Sequence, residues 1–462
     1  MFVLAPTSTE ITADLLARYD RPGPRYTSYP TAVEFHKAFG PADYQRHLTA
    51  AAGRTREPLA FYTHLPFCAH RCGFCGCHAI VSPHGRKVSE PYVQRLKRET
   101  EMVARLLKDR RVVTQYQWGG GTPTYLTPEQ ITDVLEHFAS LFRFEPGAEI
   151  AVEVDPRVTT IAHLGAMSAL GFNRLSAGVQ DLDREVQEII GRVQPLEQTA
   201  ELVVGARKLG FAGGINLDLI YGLPGQRVES FADTARAVVA LRADRVAIYS
   251  FAYVPWLKGH QRALPAERLP PPELKLELLM AARGVFLDAG YVGIGMDHFA
   301  RPGDQLALAL ENGTLHRNFM GYTTRRAGDL VGLGVSAIGS VGGAYAQSHK
   351  KLSHYYAAVD RGQLPTERGY ELSEDDRIRG EVILSLMCRF DVDLDRVAPR
   401  PYFADALTKL QPLVDDGLVE IREGRITATP LGRMFIRNVA MCFDAHLPNA
   451  ERRPAPTFSR TV

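Results

Sequence analysis

From about residue 58 onward, apolar and polar residues alternate in short runs, and between those runs the apolar residues recur at helical spacing. The β-type runs are LAFYTHL (59–65), TQYQWGG (114–120), EIAVEVD (149–155), RLSAGVQ (174–180), GINLDLIYG (214–222) and RVAIYSFAY (245–253). Amphipathic segments such as EPYVQRLKRETEMVARLLKD (90–109) and TPEQITDVLEHFASLF (127–142) lie between them. The second opens with Thr127 at a predicted N-cap, Pro128 at the first helical position and Gln130 three residues on, a capping-box arrangement. Strand and helix alternating six times predicts parallel strands with right-handed crossovers. Six units are too few to close an eight-stranded barrel. The pattern therefore predicts an α/β fold built as a partial, open (β/α)6 TIM-like barrel, with a doubly wound sheet as the alternative.

The two ends of the chain read differently. Residues 1–45 form an expected N-terminal arm, irregular because RPGPRYTSYPT (21–31) is rich in proline. The arm either packs as an ordered loop on the main domain or reaches a pocket with Arg25 and Tyr26. Residues 46–355 are the expected catalytic domain, the partial barrel plus an extension. Residues 356–462 are an expected, mainly helical C-terminal domain. There SEDDRIRGEVILSLMCRFDVDLDRV (373–397) predicts a helix and its exit, and 406–444 predicts helix, hairpin turning at Glu423–Gly424, and helix. That order is winged-helix-like, a module used both for DNA binding and as a structural lid.

Charge narrows the partners. Lys and Arg total 54 against 52 Asp and Glu, a net charge of +2 over 462 residues, so no broad nucleic-acid surface is predicted. The short basic spots RRVVTQ and TTRRAG read as solvated faces. The N-terminus lacks a basic region followed by a long apolar one, and no apolar run approaches the ~20 residues that span a bilayer. The expectation is a cytoplasmic protein with reduced thiols, in which clustered cysteines mean metal or catalysis.

Four of the six cysteines, Cys68, Cys72, Cys75 and Cys77, fall in ten residues directly after the first predicted strand. Structural zinc usually takes two separated pairs of ligands, and no second pair exists here. Cys388 and Cys442 sit in apolar helical contexts and read as buried structural thiols. An iron–sulfur cluster accepts thiolates from one compact loop. The CxxxCxxC spacing offers three, Cys68, Cys72 and Cys75, and three ligands leave one iron of a cubane open. Loops at the C-terminal strand ends of such barrels build active sites.

Further along, WGGGTPT (118–124) can bring backbone N–H groups close to a ligand or make a tight turn. VEVDP places Glu153 and Asp155 on one face of a strand, as ligand contacts or as salt-bridge members. Gln180, Arg192 and Asp218 add polar groups near the tips of successive strands, where a plain core would have none.

The cysteine stretch resembles the signature of the radical S-adenosylmethionine enzymes. In that family the open iron chelates S-adenosylmethionine, and an electron from the reduced cluster releases a 5′-deoxyadenosyl radical that abstracts hydrogen. Ten stretches in order narrow the resemblance: PRYTSYPT, FCAHRCGFCGC, WGGGTPTYL, EVDPR, GFNRLSAGVQD, DLIYGLPGQ, GMDHFARP, LHRNFMGYTT, GVSAIG and RNVAMCFD. From residue 20 to the C-terminus the chain is similar to the oxygen-independent coproporphyrinogen III oxidases, oxidoreductases of haem biosynthesis. The resemblance implies anaerobic oxidative decarboxylation of two propionates of coproporphyrinogen III to vinyls, giving protoporphyrinogen IX.

It also implies a 4Fe–4S cluster on Cys68, Cys72 and Cys75, and two molecules of S-adenosylmethionine. Tyr62, Gly120, Gly121, Thr122 and Glu153 would contact the first. Phe74, Gly121, Thr122, Gln180, Arg192, Asp218, Ala252 and Ile338 would surround the second. One extra residue in FAGGINLD interrupts the match between Arg192 and Asp218. Cys77 completes a CxxxCxxCxC pattern in which the fourth cysteine is not a ligand, and it is a candidate catalytic residue. Related haem-binding chaperones lack that cysteine, so Cys77 favours the oxidase over a chaperone; a radical methyltransferase or cyclopropanase is the other alternative. Arg25, His298, Arg301, His316, Arg317 and Arg325 are candidates for the substrate's propionates, since charge-assisted hydrogen bonds to carboxylates are strong. The implied electron donor is a flavodoxin or ferredoxin, and the protein is expected to be a monomer without membrane or nucleic-acid partners.

Overall fold

The structure is a computed structural model that describes residues 11–448 and 457–461. The first ten residues of the expected arm, and 449–456 and 462 of the expected C-terminal domain, lie outside the described residues. All six predicted strands form: β1 (Leu59–Leu65), β2 (Val112–Gly120), β3 (Arg143–Val154), β4 (Arg174–Gln180), β5 (Ile215–Tyr221) and β6 (Arg245–Ser250). Between them run α1 (Arg86–Leu107), α2 (Pro128–Leu141), α3 (Ile161–Ala169), α4 (Leu196–Lys208) and α5 (Val228–Ala240), and α6 (Pro272–Asp288) follows β6. Helix α2 begins as expected, with Gln130 N–H donating to Thr127 Oγ1 at 3.3 Å and Thr127 N–H to Gln130 Oε1 at 3.3 Å. Six further strands complete the sheet: β7 (Val292–Ile294), β8 (His298–Ala300), β9 (Asp329–Leu333), β10 (Ile338–Val341), β11 (Ala344–Ser348) and β12 (Thr366–Glu371).

The twelve strands lie in the order β12-β11-β10-β9-β1-β2-β3-β4-β5-β6-β8-β7. β1 to β6 pair in parallel, and β9 pairs in parallel with β1 on its other side. A seventh parallel strand was not expected. Its five residues arrive late in the chain with no following helix, so no strand–helix rhythm announces it. Antiparallel hairpins flank both ends, and the barrel stays open.

Apolar faces of the helices close on the outside of this sheet. Phe61, Tyr116, Trp118, Phe138 and Phe172, all 2 % exposed or less, form its aromatic centre. The second core belongs to the C-terminal part: α7 (Glu374–Arg389), α8 (Ala404–Asp415), a three-stranded sheet of 391–393, 425–428 and 419–422, and α9 (Ile436–Met441). The hairpin turns at Glu423 and Gly424, both with positive φ (48° and 82°), as a tight two-residue turn requires. Cys442 is buried there, and Cys388 on α7 is buried in a smaller cluster with Ile294, Leu306, Leu315 and Tyr322. Position 355, the expected boundary, falls inside the helix Leu352–Asp360, and β12 still belongs to the main sheet.

The arm is less irregular than its prolines suggest. Ala13–Tyr19 and Pro41–Ala51 are helices, and Leu15, Leu16, Tyr19, Tyr26 and Tyr29 belong to the C-terminal core. Tyr26 is 1 % exposed and its hydroxyl donates to Asp444 at 2.9 Å, so it is a core residue and is not presented to a pocket. Arg25 does line a cavity between barrel and C-terminal core. Among the described residues no helix is long and apolar enough to cross a membrane.

Candidate active site

Phe67–Cys68 pairs in parallel with Ile80–Val81, with Ile80 N–H donating to Pro66 C=O at 2.7 Å and Ser82 N–H to Cys68 C=O at 3.0 Å. This ladder ties the ends of the cysteine loop together just beyond β1. Gly73 N–H donates to Ile190 C=O at 2.7 Å and fastens the loop to the chain that follows β4. Cys68, Cys72, Cys75 and Cys77 then line one cavity of about 190 Å³ together with Phe74, Gly120, Gly121, Thr122, Glu153, Gln180, Arg192 and Asp218. Twelve of the fifteen sequence-predicted site residues thus converge.

Tyr62, Ala252 and Ile338 do not line that cavity. The Tyr62 hydroxyl lies 3.1 Å from His64 Nδ1, close enough to Glu153 and Cys77 to feel their charge. The Ala252 carbonyl accepts from Gln261 Nε2, which also donates to Phe74 C=O, both at 3.1 Å. Ile338 crosses the backbone of Gly332, the residue paired with Tyr62.

The glycine turn after β2 leaves no room for side chains. A Cβ on Gly119 would stand 2.7 Å from the Glu153 carboxylate, one on Gly121 would stand 2.6 Å from Pro66, and one on Gly120, at φ +111°, would collide with the His64 ring. The turn therefore brings bare backbone against the cavity. Gly120 N–H donates to Glu153 Oε2 at 3.2 Å and Gln117 Nε2 to Oε1 at 3.1 Å, but no cation among the described residues pairs with this carboxylate. Burial accordingly holds Glu153 above its ordinary pKa. Asp218 is raised for the same reason, although Asn216 Nδ2 donates to it at 2.7 Å and Ser176 Oγ at 3.1 Å. A bulge between Gly178 and Gln180 turns the end of β4, placing Gln180 at φ +69° with its buried Oε1 unpartnered.

Arg157, His64 and His78 were not singled out in the sequence, whereas Asp155, expected as a ligand contact or a salt-bridge member, is the latter. Asp155 accepts from Arg157 Nη2 at 2.7 Å and from Arg192 Nη1 at 3.0 Å, and despite its burial the two guanidiniums hold it below the usual carboxylate range. Both arginines also reach the Cys72 sulfur, at 3.4 and 3.6 Å. The motif EVDPR carried this signal. His64 Nε2 donates to His78 C=O at 2.9 Å, and burial keeps its ring neutral, with a pKa of about 4. The Cys77 thiol donating to it, against the penalty of burial, and the charges of Lys258 and Arg71 bring Cys75 down to about 6.

Of the propionate candidates, Arg25, His298 and Arg317 gather around Asp297. His298 Nδ1 lies 2.6 Å and Arg25 Nη1 3.6 Å from its carboxylate, and Arg317 acts on it through space. Arg317 is buried with Nε and Nη1 unpartnered, its guanidinium 4.4 Å over the Tyr322 ring. His316 faces separate clefts, Arg325 donates to Gly147 C=O, and Arg301 is exposed.

The donor set fits an iron–sulfur cluster: one tethered loop of thiols, cationic donors on one sulfur, and an open side facing bare backbone and cation-free carboxylates. No three His, Cys, Asp or Glu side chains among the described residues are close enough to hold a single ion. Thiolates of a cubane bind separate irons and stand further apart.

The fold and site define a radical S-adenosylmethionine enzyme, and the model of the radical SAM superfamily matches residues 62–238. The HemN C-terminal domain matches residues 372–435. The chain is 41 % identical over 465 residues to an oxygen-independent coproporphyrinogen III oxidase of Synechocystis, covering 98 % of this chain and 99 % of that one. It is 44 % identical over 454 residues to the Escherichia coli K12 protein of the same name, covering 97 % and 98 %. The solved structure of the Escherichia coli coproporphyrinogen III oxidase HemN, a radical SAM enzyme, superposes with a TM-score of 0.87 over 91 % of this chain and 97 % of that one. The chain belongs to the oxygen-independent coproporphyrinogen III oxidase family. Its cofactors are a 4Fe–4S cluster and S-adenosylmethionine.

Proposed function

We propose that this chain catalyses the anaerobic oxidative decarboxylation of two propionates of coproporphyrinogen III to vinyls, giving protoporphyrinogen IX in haem biosynthesis. The observation that carries this reading is the thiol loop opening onto the glycine turn and Glu153, in a chain related to that family along nearly its whole length. When bound, the cluster and S-adenosylmethionine supply the radical that removes hydrogen from the propionate carbon next to the pyrrole.

Cys68, Cys72 and Cys75 would hold the cluster, with Arg157 and Arg192 offsetting charge on the Cys72 sulfur. Glu153 has no cation partner among the described residues and suits the ammonium of S-adenosylmethionine. Bare backbone at Gly120, Gly121 and Thr122 lets the methionine part approach, with Tyr62 behind Glu153. A second S-adenosylmethionine would meet Phe74, Gln180, Arg192 and Asp218, with Ala252 and Ile338 further out. Arg25, His298 and Arg317 would take substrate carboxylates beside Asp297. Cys77 is exposed at the edge of the site and remains a candidate catalytic group. We place the chain in the cytoplasm as a monomer, served by a flavodoxin or ferredoxin. We divide it into an arm, a catalytic part ending near residue 371, and a C-terminal part.

The test is oxygen-free reconstitution with iron and sulfide, followed by dithionite, S-adenosylmethionine and coproporphyrinogen III. Methionine, 5′-deoxyadenosine and protoporphyrinogen IX are expected. Nucleoside without a tetrapyrrole product would overturn the substrate and leave the radical class standing.

A further inference from the structure

The segment 254–262 forms the outer wall of the cysteine loop. Lys258 Nζ donates to Cys77 C=O at 3.0 Å, His260 Nε2 to Cys75 C=O at 2.9 Å and Gln261 Nε2 to Phe74 C=O at 3.1 Å. One layer of hydrogen bonds thus separates this segment from the residues that carry the thiols. On its outer side Trp256 and Leu257 are 46 % and 62 % exposed, among the few exposed large apolar side chains of the described residues. Cations lie along the same stretch and beside it. Arg71 of the cysteine loop and Arg262 are exposed, and Arg71 and Lys258 both bear on His260. Lys350 and Lys351, after β11, are exposed, and Lys350 shares the surroundings of His78 with Lys258. Glu367 is an acid beside Lys350, its Oε2 accepting from Lys350 N–H at 3.3 Å. In a chain with a net charge of only +2, this is a local concentration of positive charge.

An exposed indole and leucine on a segment that carries and adjoins cations is the chemistry of a transient interface with an acidic protein. The apolar centre supplies contact, and the charged rim steers encounter and sets orientation. Its position over the thiol loop says what such a partner would do there. We propose that the face made by Trp256, Leu257, Lys258, Arg262, Arg71 and Lys350 docks an acidic, low-potential electron-transfer protein carrying a flavin or an iron–sulfur centre. In the exchange the partner's reduced centre loses one electron and the oxidised 4Fe–4S cluster gains it; no bond forms or breaks. The inference rests on the radical reading of the site.

The experiment compares reconstituted wild type with Arg262→Glu/Lys350→Glu and with Arg422→Glu, a charge change on the distant wing hairpin. Affinity is measured calorimetrically with oxidised flavodoxin, which drives no turnover. Decarboxylation is then measured with reduced flavodoxin, reduced plant-type ferredoxin, or dithionite. The double reversal should weaken flavodoxin binding and raise the KM for the protein donor by about tenfold or more, and flatten the salt dependence. Dithionite-driven turnover should stay unchanged, Arg422→Glu should change nothing, and carbodiimide cross-links should map to Lys258, Lys350 or Lys351. The proposal is overturned if the reversal leaves affinity and salt dependence intact, or if cross-links map elsewhere. It is also overturned if neither protein donor supports wild-type turnover while dithionite does. No decarboxylation even with dithionite would instead overturn the function, and the binding measurement would still decide the docking face.

Discussion

Two layers of the barrel interior use the same side-chain chemistry to opposite ends. In the lower layer Glu149 accepts from Gln115 Nε2 at 2.8 Å and Arg174 Nη1 at 2.9 Å, and Arg245 Nε lies 2.9 and 2.8 Å from the two oxygens of Asp304. Although burial opposes its charge, Arg174 and Arg245 hold Glu149 below the usual carboxylate range. In the upper layer Glu153 stands four residues further on the same strand and the same face, and it is shifted the other way. What separates the layers is charge: both layers leave a glutamine oxygen without a donor, Gln115 Oε1 below and Gln180 Oε1 above, but the lower carboxylates are ion-paired and Glu153 and Asp218 above have no salt-bridge partner among the described residues. A carboxylate on an inward face is thus a plug or a site according to what its neighbours leave unsatisfied.

The sharpest break is at the thiols. Cys72→Ser should abolish turnover and strip the iron, read by metal analysis and loss of the visible charge-transfer absorption, while the fold persists by circular dichroism. Next comes the pair of glutamates. Glu149→Gln should destabilise the protein by about 3–5 kcal/mol, because it leaves Arg174 uncompensated, with S-adenosylmethionine affinity unchanged. Glu153→Gln should instead raise the dissociation constant for S-adenosylmethionine roughly 10- to 100-fold and leave the urea midpoint unchanged or higher. If the two results were exchanged, the contrast between the layers would be wrong.

A third enclosed carboxylate lies outside the barrel. Glu99 accepts from Tyr355 Oη at 2.7 Å and Gly334 N–H at 2.8 Å, and burial pushes its pKa up to about 7. Below its unfolded pKa of 4.5 both states hold the proton. As pH rises toward about 7 the unfolded state releases it while the folded state keeps it, so stability falls across that window, by about 3 kcal/mol in all. Urea unfolding at points across that range should show the slope, and Glu99→Gln should remove it. Smallest is Thr127→Ala, behind β2 and in neither layer. It should cost about 1 kcal/mol through the lost cap and leave cofactor binding untouched.

Legibility followed the range of the interactions. The strands 59–65 and 174–180 were read to the residue, and the start of α2 to its capping box, because alternation and caps act within a few residues. The thiol loop was legible because its ligands share one loop. The strand β9 was not, since its parallel pairing with β1 joins residues about 270 apart. The role of Arg157 was missed because a base two residues from an acid reads as an ordinary local pair until its guanidinium, with that of Arg192, lies against Cys72. Arg25 and Tyr26, adjacent in one proline-rich stretch, had to be separated by packing: one lines a cavity and the other fills the C-terminal core.

Local order along the chain was therefore enough to determine the six strand–helix units, the open barrel they imply and the three thiols placed after the first strand. Only the tertiary structure decided which inward carboxylate is paired and which is left open, and which basic residues crowd the outer wall of the thiol loop. Those outcomes depend on charges brought together from strands and loops far apart in sequence, and the electrostatic energy of a group depends on its neighbours in space.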